Sequence, residues 1–438
     1  MTEKFQPVKG TRDFLPEEKI LRQSILDVLR KAFEEFGFSP LETPAIETWE
    51  IATKKGSSDS TTDVYREIYR FKDQGERELT LRYELTFPLA RVIAANPQIP
   101  KPFKRYQIGK VWRDGPVKTG RYREFWQCDV DTVGSASLTA DAEILAMYTK
   151  IFKELGLKVV IKINTIKFLD NVLSYAGVPP EKRNAILISL DKLEKIGLEE
   201  VVKDAKERGI SENEIREVYK IIKDIDPENP DIDNDGIKEG LEDITELSRL
   251  AISMGAKNIY FVPTLTRGLT YYTGPIFEVF LKSGALSSSL AGGGRWDNMI
   301  SDFMGSKEKV PATGTSFGLD TIYDAMLLEG KLEKQKTVTD VFVIPIKTKE
   351  YCLGVVRELR ELGINADMDI MDRSISKNLS YANSLGIPYC IIVGHEELMK
   401  KVVKLRDMKS GEERLISLAV LKNEIKYPKR GKKPKKTK

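Results

Sequence analysis

Apolar residues recur at three- and four-residue spacing over 18–36 (EKILRQSILDVLRKAFEEF), which predicts an amphipathic helix ended by Gly37. Prolines break the next segment, FSPLETPAIE, into a short extended stretch. Between 61 and 134 the period changes. REIYRF, ELTLR, KRYQIGKVW and EFWQCDVDTVG read as strands joined by loops, so an antiparallel sheet is expected rather than strand–helix–strand units. Helical spacing returns over 138–155, and from about 166 to 254 Glu, Lys, Ile and Leu follow a helical period with a Pro-Asp-Asn break near 226–236. That stretch reads as an inserted helical module. Strand character resumes at NIYFVP, runs through RGLTYYTGPIFEV to a glycine-rich turn, AGGGRWDNMI, and ends in TGTSFGLDTIYDAML, a strand leading into a helix. From 339 strands and helices alternate: VFVIPI, a helix over 350–362, INADMDI, a helix near 376–385, and PYCIIVG. The expected organisation is α+β: residues 1–165 and 255–333 form an antiparallel sheet flanked by helices, 166–254 a helical insertion, 338–426 a small α/β domain and 427–438 a basic tail.

At 438 residues and 41% hydrophobic the chain can bury a large core, and its length suits two or three domains. No window approaches 18 uninterrupted apolar residues, and MTEKFQPVKG lacks the layout of a secretory signal, so no membrane association and a cytoplasmic location are expected. Cys128, Cys352 and Cys390 contain no CxxC pair, which leaves neither a disulfide framework nor a zinc knuckle. They read as small buried apolar residues. The net charge of +4 conceals an asymmetry: residues 426–438 carry eight Lys or Arg and no acid, leaving the remainder at −4. Such a tail is attracted to polyanions such as RNA, or is simply a solvated end.

Four groups carry candidate chemistry. In Arg82-Tyr-Glu-Leu-Thr86, alternation along a strand would put Glu84 and Thr86 on one face. In residues 111–127 (VWRDGPVKTGRYREFWQ) two strands meet at a loop with Arg113 on one arm and Arg121 and Arg123 near the other; arginines there can grip a phosphate bidentately, and Phe125 can stack on a base. A hairpin with charged edges is the plain alternative. The third group is Arg267 with Tyr271 and Tyr272; on a regular strand the adjacent tyrosines face opposite sides, so one would pack in the core. The fourth, Gly292-Gly-Gly-Arg-Trp-Asp297, allows close backbone approach but matches neither the phosphate-loop nor the dinucleotide spacing.

In this order the groups resemble the class II aminoacyl-tRNA synthetases and, more closely, the histidyl-tRNA synthetases. The first helix with FSPLETPAIE resembles the dimer-forming first class motif, residues 111–127 the second and TGTSFGLDTIYDAM the third. The specific segments are Lys9-Gly-Thr-Arg-Asp-Phe-Leu-Pro16, GRYREFWQCDVD and RGLTYYTGPIFEV, and the resemblance covers nearly all of residues 5–425, including the insertion and a C-terminal anticodon-binding α/β domain. It implies a homodimer that uses ATP and Mg2+ to activate L-histidine to an adenylate and transfers the histidyl group to the 3′ end of tRNA(His). It also implies residue roles. Glu84, Thr86 and Gln127 would hold the amino group; Asp131 and Tyr272 would read the imidazole, with Tyr271 a further histidine-binding residue. Arg113 would hold the α-phosphate and carboxylate, Arg121 the outer phosphates, Phe125 the adenine face, and Arg267 would supply a fixed charge at the α-phosphate. Arg113 and Arg267 are thus the expected catalytic residues, and no metal-ligating side chain is assigned.

The chain departs from the class pattern where Asp320-Thr321 replaces an acid followed by a γ-phosphate-binding arginine, and where Trp296 replaces a tyrosine. Either Arg121 and magnesium suffice, or another basic residue serves, or the chain is a non-catalytic paralogue acting as a regulatory or RNA-sensing subunit. The regulatory reading is disfavoured by residues 339–425, since such subunits resemble only the catalytic core. Residues 231–242 (DIDNDGIKEGLE) fit a calcium-loop pattern, but Lys238 replaces the usual apolar position and Pro230 precedes it, so a solvated acidic turn is expected. His395, the only histidine, reads as a loop residue remote from every group above. The helix starting near Ser374 presents Lys377, and its N-terminal amides could meet phosphate.

Overall fold

Two long alternating runs, Phe103–Trp112 and Glu124–Val133, pair as an antiparallel hairpin and form the second and third strands of an eight-stranded sheet. The computed structural model describes residues 5–53, 66–117, 121–225, 232–267, 271–332 and 335–425. Across the sheet the order is Ser39–Pro40, Phe103–Trp112, Glu124–Val133, Ala312–Gly318, Ala291–Arg295, Pro275–Leu281, Val159–Thr165 and Ile259–Phe261. The inner pairings are antiparallel; the two edge strands join in parallel. One face is covered by the helix Leu138–Leu155, whose Tyr148 and Phe152 rings meet Phe317, while Phe33 from the helix Pro16–Glu35 packs on Phe317 and Tyr106.

The chain divides into two compact units, residues 1–12 with 25–331 and residues 13–24 with 332–438. Within the first, helices Ile166–Tyr175, Pro180–Leu190, Leu193–Glu207, Glu212–Asp224 and Asp235–Ser253 lie between the strands Val159–Thr165 and Ile259–Phe261. Gly240 permits the close approach of the first and last of them, since a Cβ there would lie 2.8 Å from Phe168 Cα. The second unit has a five-stranded sheet in the order Ala366–Met368, Val341–Pro345, Tyr389–Val393, Val403–Asp407, Glu413–Ile416. Its first three strands are parallel and the last two antiparallel. All three cysteines are buried, and among the described residues none is joined in a disulfide.

Several expectations change. Glu84 and Thr86 do not share a strand: the strand ends at Leu81, and a helix runs from Thr86 to Ala95. ELTLRYELTF alternates well enough to read as one long strand, but Pro88 lacks the N–H a ladder needs and suits the first helical turn, while Leu89, Ala90 and Ile93 supply a buried helical stripe. The strand Glu78–Leu81 belongs instead to a small separate sheet with Ile46–Thr48 and Arg70–Lys72. The glycine-rich "turn" is a fully buried strand, Ala291–Arg295, in the middle of the large sheet. His395 opens a short helix, His395–Met399, rather than lying in a loop. The basic tail 427–438 and Asp231 of the acidic loop lie outside the described residues.

Candidate active site

The strand Glu124–Val133 builds one wall of a cavity of about 530 Å³. Alternation sends Phe125, Gln127, Asp129 and Asp131 to the cavity side, while Cys128 and Val130 enter the core. Glycines on the neighbouring strands make the room. Gly314 is registered opposite Asp131, and a Cβ there would lie 1.9 Å from Asp131 Oδ1; a Cβ on Gly293 would lie 2.0 Å from Gly314 O. The glycine run is therefore a cavity floor that no larger residue could form.

The cavity is charged in two ways. Glu84, Asp129 and Asp131 are almost completely buried, at 4%, 4% and 3% exposure. Arg105, itself wholly buried on the paired strand, stands opposite Asp131 with Nη2 2.6 Å from Asp131 Oδ2. Burial pushes the Asp129 carboxyl up to about 8, Arg105 opposing and Asp131 reinforcing the shift; burial likewise raises Asp131 to about 6 against the pull of Arg105. Burial also raises Glu84, although its Oε1 accepts the Phe87 N–H at 2.5 Å at the start of the helix Thr86–Ala95. Asp129 Oδ1 and Gln127 Oε1 are buried acceptors without a hydrogen-bond partner among the described residues, while Gln127 Nε2 donates to Ser316 Oγ at 3.1 Å. Such a wall suits a ligand that brings N–H donors and positive charge.

The other part of the lining is cationic. Arg113 lies between rings, its guanidinium 4.1 Å from the Tyr83 centroid and 5.1 Å from that of Phe125, and its Nε donates to Tyr83 O. Arg121, half exposed, pairs with Glu67 at 2.7 Å. Arg267 ion-pairs with Glu278, which projects from the strand Pro275–Leu281, and its guanidinium sits 5.7 Å from the Tyr272 ring. Gly292 leaves space for it, since a Cβ there would be 2.4 Å from Arg267 Nη1. Tyr271 and Tyr272 precede the strand, which starts only at Pro275, so strand alternation does not separate them. Both line the cavity with ring centroids 4.6 Å apart. Thr86 joins them on the wall, and with it all ten residues singled out from the sequence border one space.

A family model described as "Histidyl-tRNA synthetase" matches residues 10–322, and one described as "Anticodon binding domain" matches residues 340–427. The chain belongs to the histidyl-tRNA synthetase family. It is 42% identical over 426 residues to a "Histidine--tRNA ligase 1" of Bacillus cereus, covering 95% of this chain and 98% of that protein. It is 35% identical to "Histidine--tRNA ligase" of Clostridium tetani, covering 93% and 95%. Among solved structures, histidyl-tRNA synthetase from Nostoc sp. PCC 7120 superposes with a TM-score of 0.81 at 28% identity, covering 96% of this chain and 98% of that one. An ATP phosphoribosyltransferase regulatory subunit/histidyl-tRNA synthetase from Bacillus halodurans, at 22% identity and a TM-score of 0.71 over 87% and 97%, shares the fold.

In this histidyl-tRNA synthetase fold four further charged residues border the cavity or brace its wall: Asp320, met in the sequence only as the acid of the third motif, and Arg105, Asp129 and Glu278, which were not singled out. Asp129 was within reach, because it falls at the same two-residue spacing as Gln127 and Asp131. Glu278 is the single charge in the strand PIFEVFL, and a lone acid in an apolar strand signals a buried partner. Arg105 carries no comparable mark among the basic residues of KRYQIGKVW. Thr321 lies on the cavity wall, where its Oγ1 donates to Gly318 O, and Trp296 is buried with its side chain hydrogen-bonded to Asp131. Among the described residues 232–242, the acidic stretch takes up a helix start rather than a twelve-residue calcium loop. Asn234 caps the helix Asp235–Ser253, so Glu242 lies two turns into a helix and cannot fold back over the preceding aspartates.

Proposed function

We propose that this chain is a histidine–tRNA ligase that activates L-histidine with ATP and transfers the histidyl group to the 3′ end of tRNA(His). In the first step a histidine carboxylate oxygen bonds to the α-phosphorus while the bond from that phosphorus to the bridging oxygen breaks, releasing pyrophosphate. In the second a terminal ribose hydroxyl attacks the activated carbonyl and AMP leaves. No protein nucleophile takes part; the work is positioning and charge compensation.

The observation that carries this reading is the division of one cavity between buried acceptors and arginines. Glu84, Thr86 and Gln127 receive the ammonium, and Asp131 with Tyr272 reads the two imidazole nitrogens, with Tyr271 closing that side. A pocket of buried polar pairs rejects analogues without ring nitrogens by roughly 10⁴ or more, which makes editing unnecessary. Arg113 spans the histidine carboxylate and the α-phosphate, Phe125 supports the adenine, Arg121 exchanges Glu67 for the outer phosphates, and Arg267, oriented by Glu278, meets the charge that grows on the α-phosphate. Magnesium would come with ATP and would help offset the charge of its outer phosphates, with no side chain of this chain assigned as its ligand. The C-terminal unit binds the anticodon arm, the protein works as a homodimer, and its place is the cytoplasm.

Histidine-dependent ATP–pyrophosphate exchange tests the reading directly. Wild-type protein is expected to exchange, and Arg267→Ala to lose exchange by orders of magnitude with little change in Tm. A wild-type protein that binds tRNA yet shows no exchange would instead be a regulatory or RNA-sensing paralogue. Near-normal exchange by Arg267→Ala would remove its assigned role.

A further inference from the structure

The cavity wall formed by Gly318, Asp320 and Thr321 brings an acid where a polyphosphate would need a cation, and its partner comes from the far N-terminal segment. Asp320 is 6% exposed, and its Oδ1 accepts from Arg12 Nη2 at 2.9 Å while its Oδ2 lies 3.4 Å from the Trp126 backbone N–H. The Arg12 guanidinium also stacks 3.9 Å from the ring centroid of Tyr122, the residue after Arg121. Asp320 thus acts as a handle that holds a guanidinium beside the nucleotide-facing hairpin.

The segment that delivers Arg12 is fixed by its backbone. Gly10 O accepts the Arg123 N–H at 2.8 Å, and Gly10 has φ +88, a region that favours glycine. A Cβ there would lie 2.7–2.9 Å from three carbons of the Arg123 side chain, so the close approach also requires glycine. Thr11 closes the turn, with its N–H and Oγ1 both donating to Val8 O. The Arg12 side chain keeps 32% exposure, enough for a ligand to reach it.

Charge accounting gives this placement a purpose. ATP brings several negative charges to a wall where Thr321 offers only a hydroxyl; Arg12, paired with Asp320 as Arg121 is with Glu67 and Arg267 with Glu278, adds a third oriented guanidinium there. We propose, building on the ligase reading above, that Arg12 is an ATP-binding residue whose guanidinium contacts the outer phosphates, taking the place of the cation missing at Thr321. Asp320 holds one edge of the fork, and a phosphate oxygen takes N–H groups on another.

The test is pyrophosphate exchange on the full chain with wild type, Arg12→Ala and Arg12→Lys, the last keeping a long cationic donor within reach of Asp320 should the alanine variant misfold but lacking the guanidinium fork. The expected result is a KM for ATP raised about tenfold or more, a KM for histidine within about twofold, and an unchanged inhibition constant for AMP, which lacks the outer phosphates. An unchanged KM for ATP overturns the assignment. So does an equal rise in both KM values with a lowered Tm, which would mark a structural brace, and so does AMP binding weakened as much as ATP. Wild-type protein without exchange would overturn the ligase reading itself, a different outcome from any of these.

Discussion

Asp129 carries an acid–base consequence of its burial that its neighbours sharpen. An ordinary aspartate ionises near pH 4, but burial first, and then the charge of Asp131, lifts Asp129 to about 8 in spite of Arg105. The folded chain therefore holds a proton that the unfolded chain has released. By linkage this contribution to stability is fully present below about pH 4 and is lost as pH rises toward 8; Asp131, at about 6, loses its share earlier. Ligand-free wild-type protein should thus lose denaturant stability between pH 6 and 8, and Asp129→Asn should show a shallower loss, measured as the midpoint of unfolding at each pH. An equal slope in the two proteins would mean that Asp129 is already ionised at pH 6. Any cation bound beside these buried carboxylates would lower their pKa values and bind with release of protons.

At the scale of the element, the acidic stretch DIDNDG shows how one short pattern supports two structures. The aspartates that suggest an ion also supply the N-cap residue types of a helix, and here Asn234 Oδ1 accepts the Ile237 N–H at 2.9 Å. Asn234→Ala should cost about 1 kcal/mol in unfolding free energy, and calcium should move the Tm of neither protein. A calcium-dependent rise in wild-type Tm would contradict the helical reading. The same competition explains what could be read from the chain elsewhere. The helix Leu138–Leu155 was legible to its ends because Ser137, a helical apolar period and Gly156 at φ +75 all agree. Thr86–Ala95 was hidden by an alternating sequence, and the strand Ala291–Arg295 by its glycines, which have poor strand propensity and are present for closeness to Arg267, Gly314 and Pro275. The ten site residues were legible through family resemblance joined to two-residue spacing on Glu124–Val133. The Arg12–Asp320 pair was not, because 308 positions separate its members and no local period links them.

Across the whole molecule, charge is segregated rather than balanced. Residues 426–438 hold eight of the basic side chains and no acid, so the remainder of the chain is at −4 and, taken as a whole, repels a polyanion. For a tRNA ligase that arrangement makes the tail a candidate source of long-range attraction, while discrimination belongs to the anticodon-binding unit and the cavity. Each phosphate neutralised adds roughly 0.7–0.9 to the slope of log affinity against log salt. Deleting 426–438 should therefore leave histidine-dependent exchange within about twofold of wild type, because no residue of the cavity is lost, and should flatten the salt dependence of tRNA binding. Filter binding between about 50 and 200 mM salt separates the alternatives. A truncated protein with the wild-type slope would show that the tail's charge stays in solvent, and that tRNA is drawn in by cations on the folded units alone.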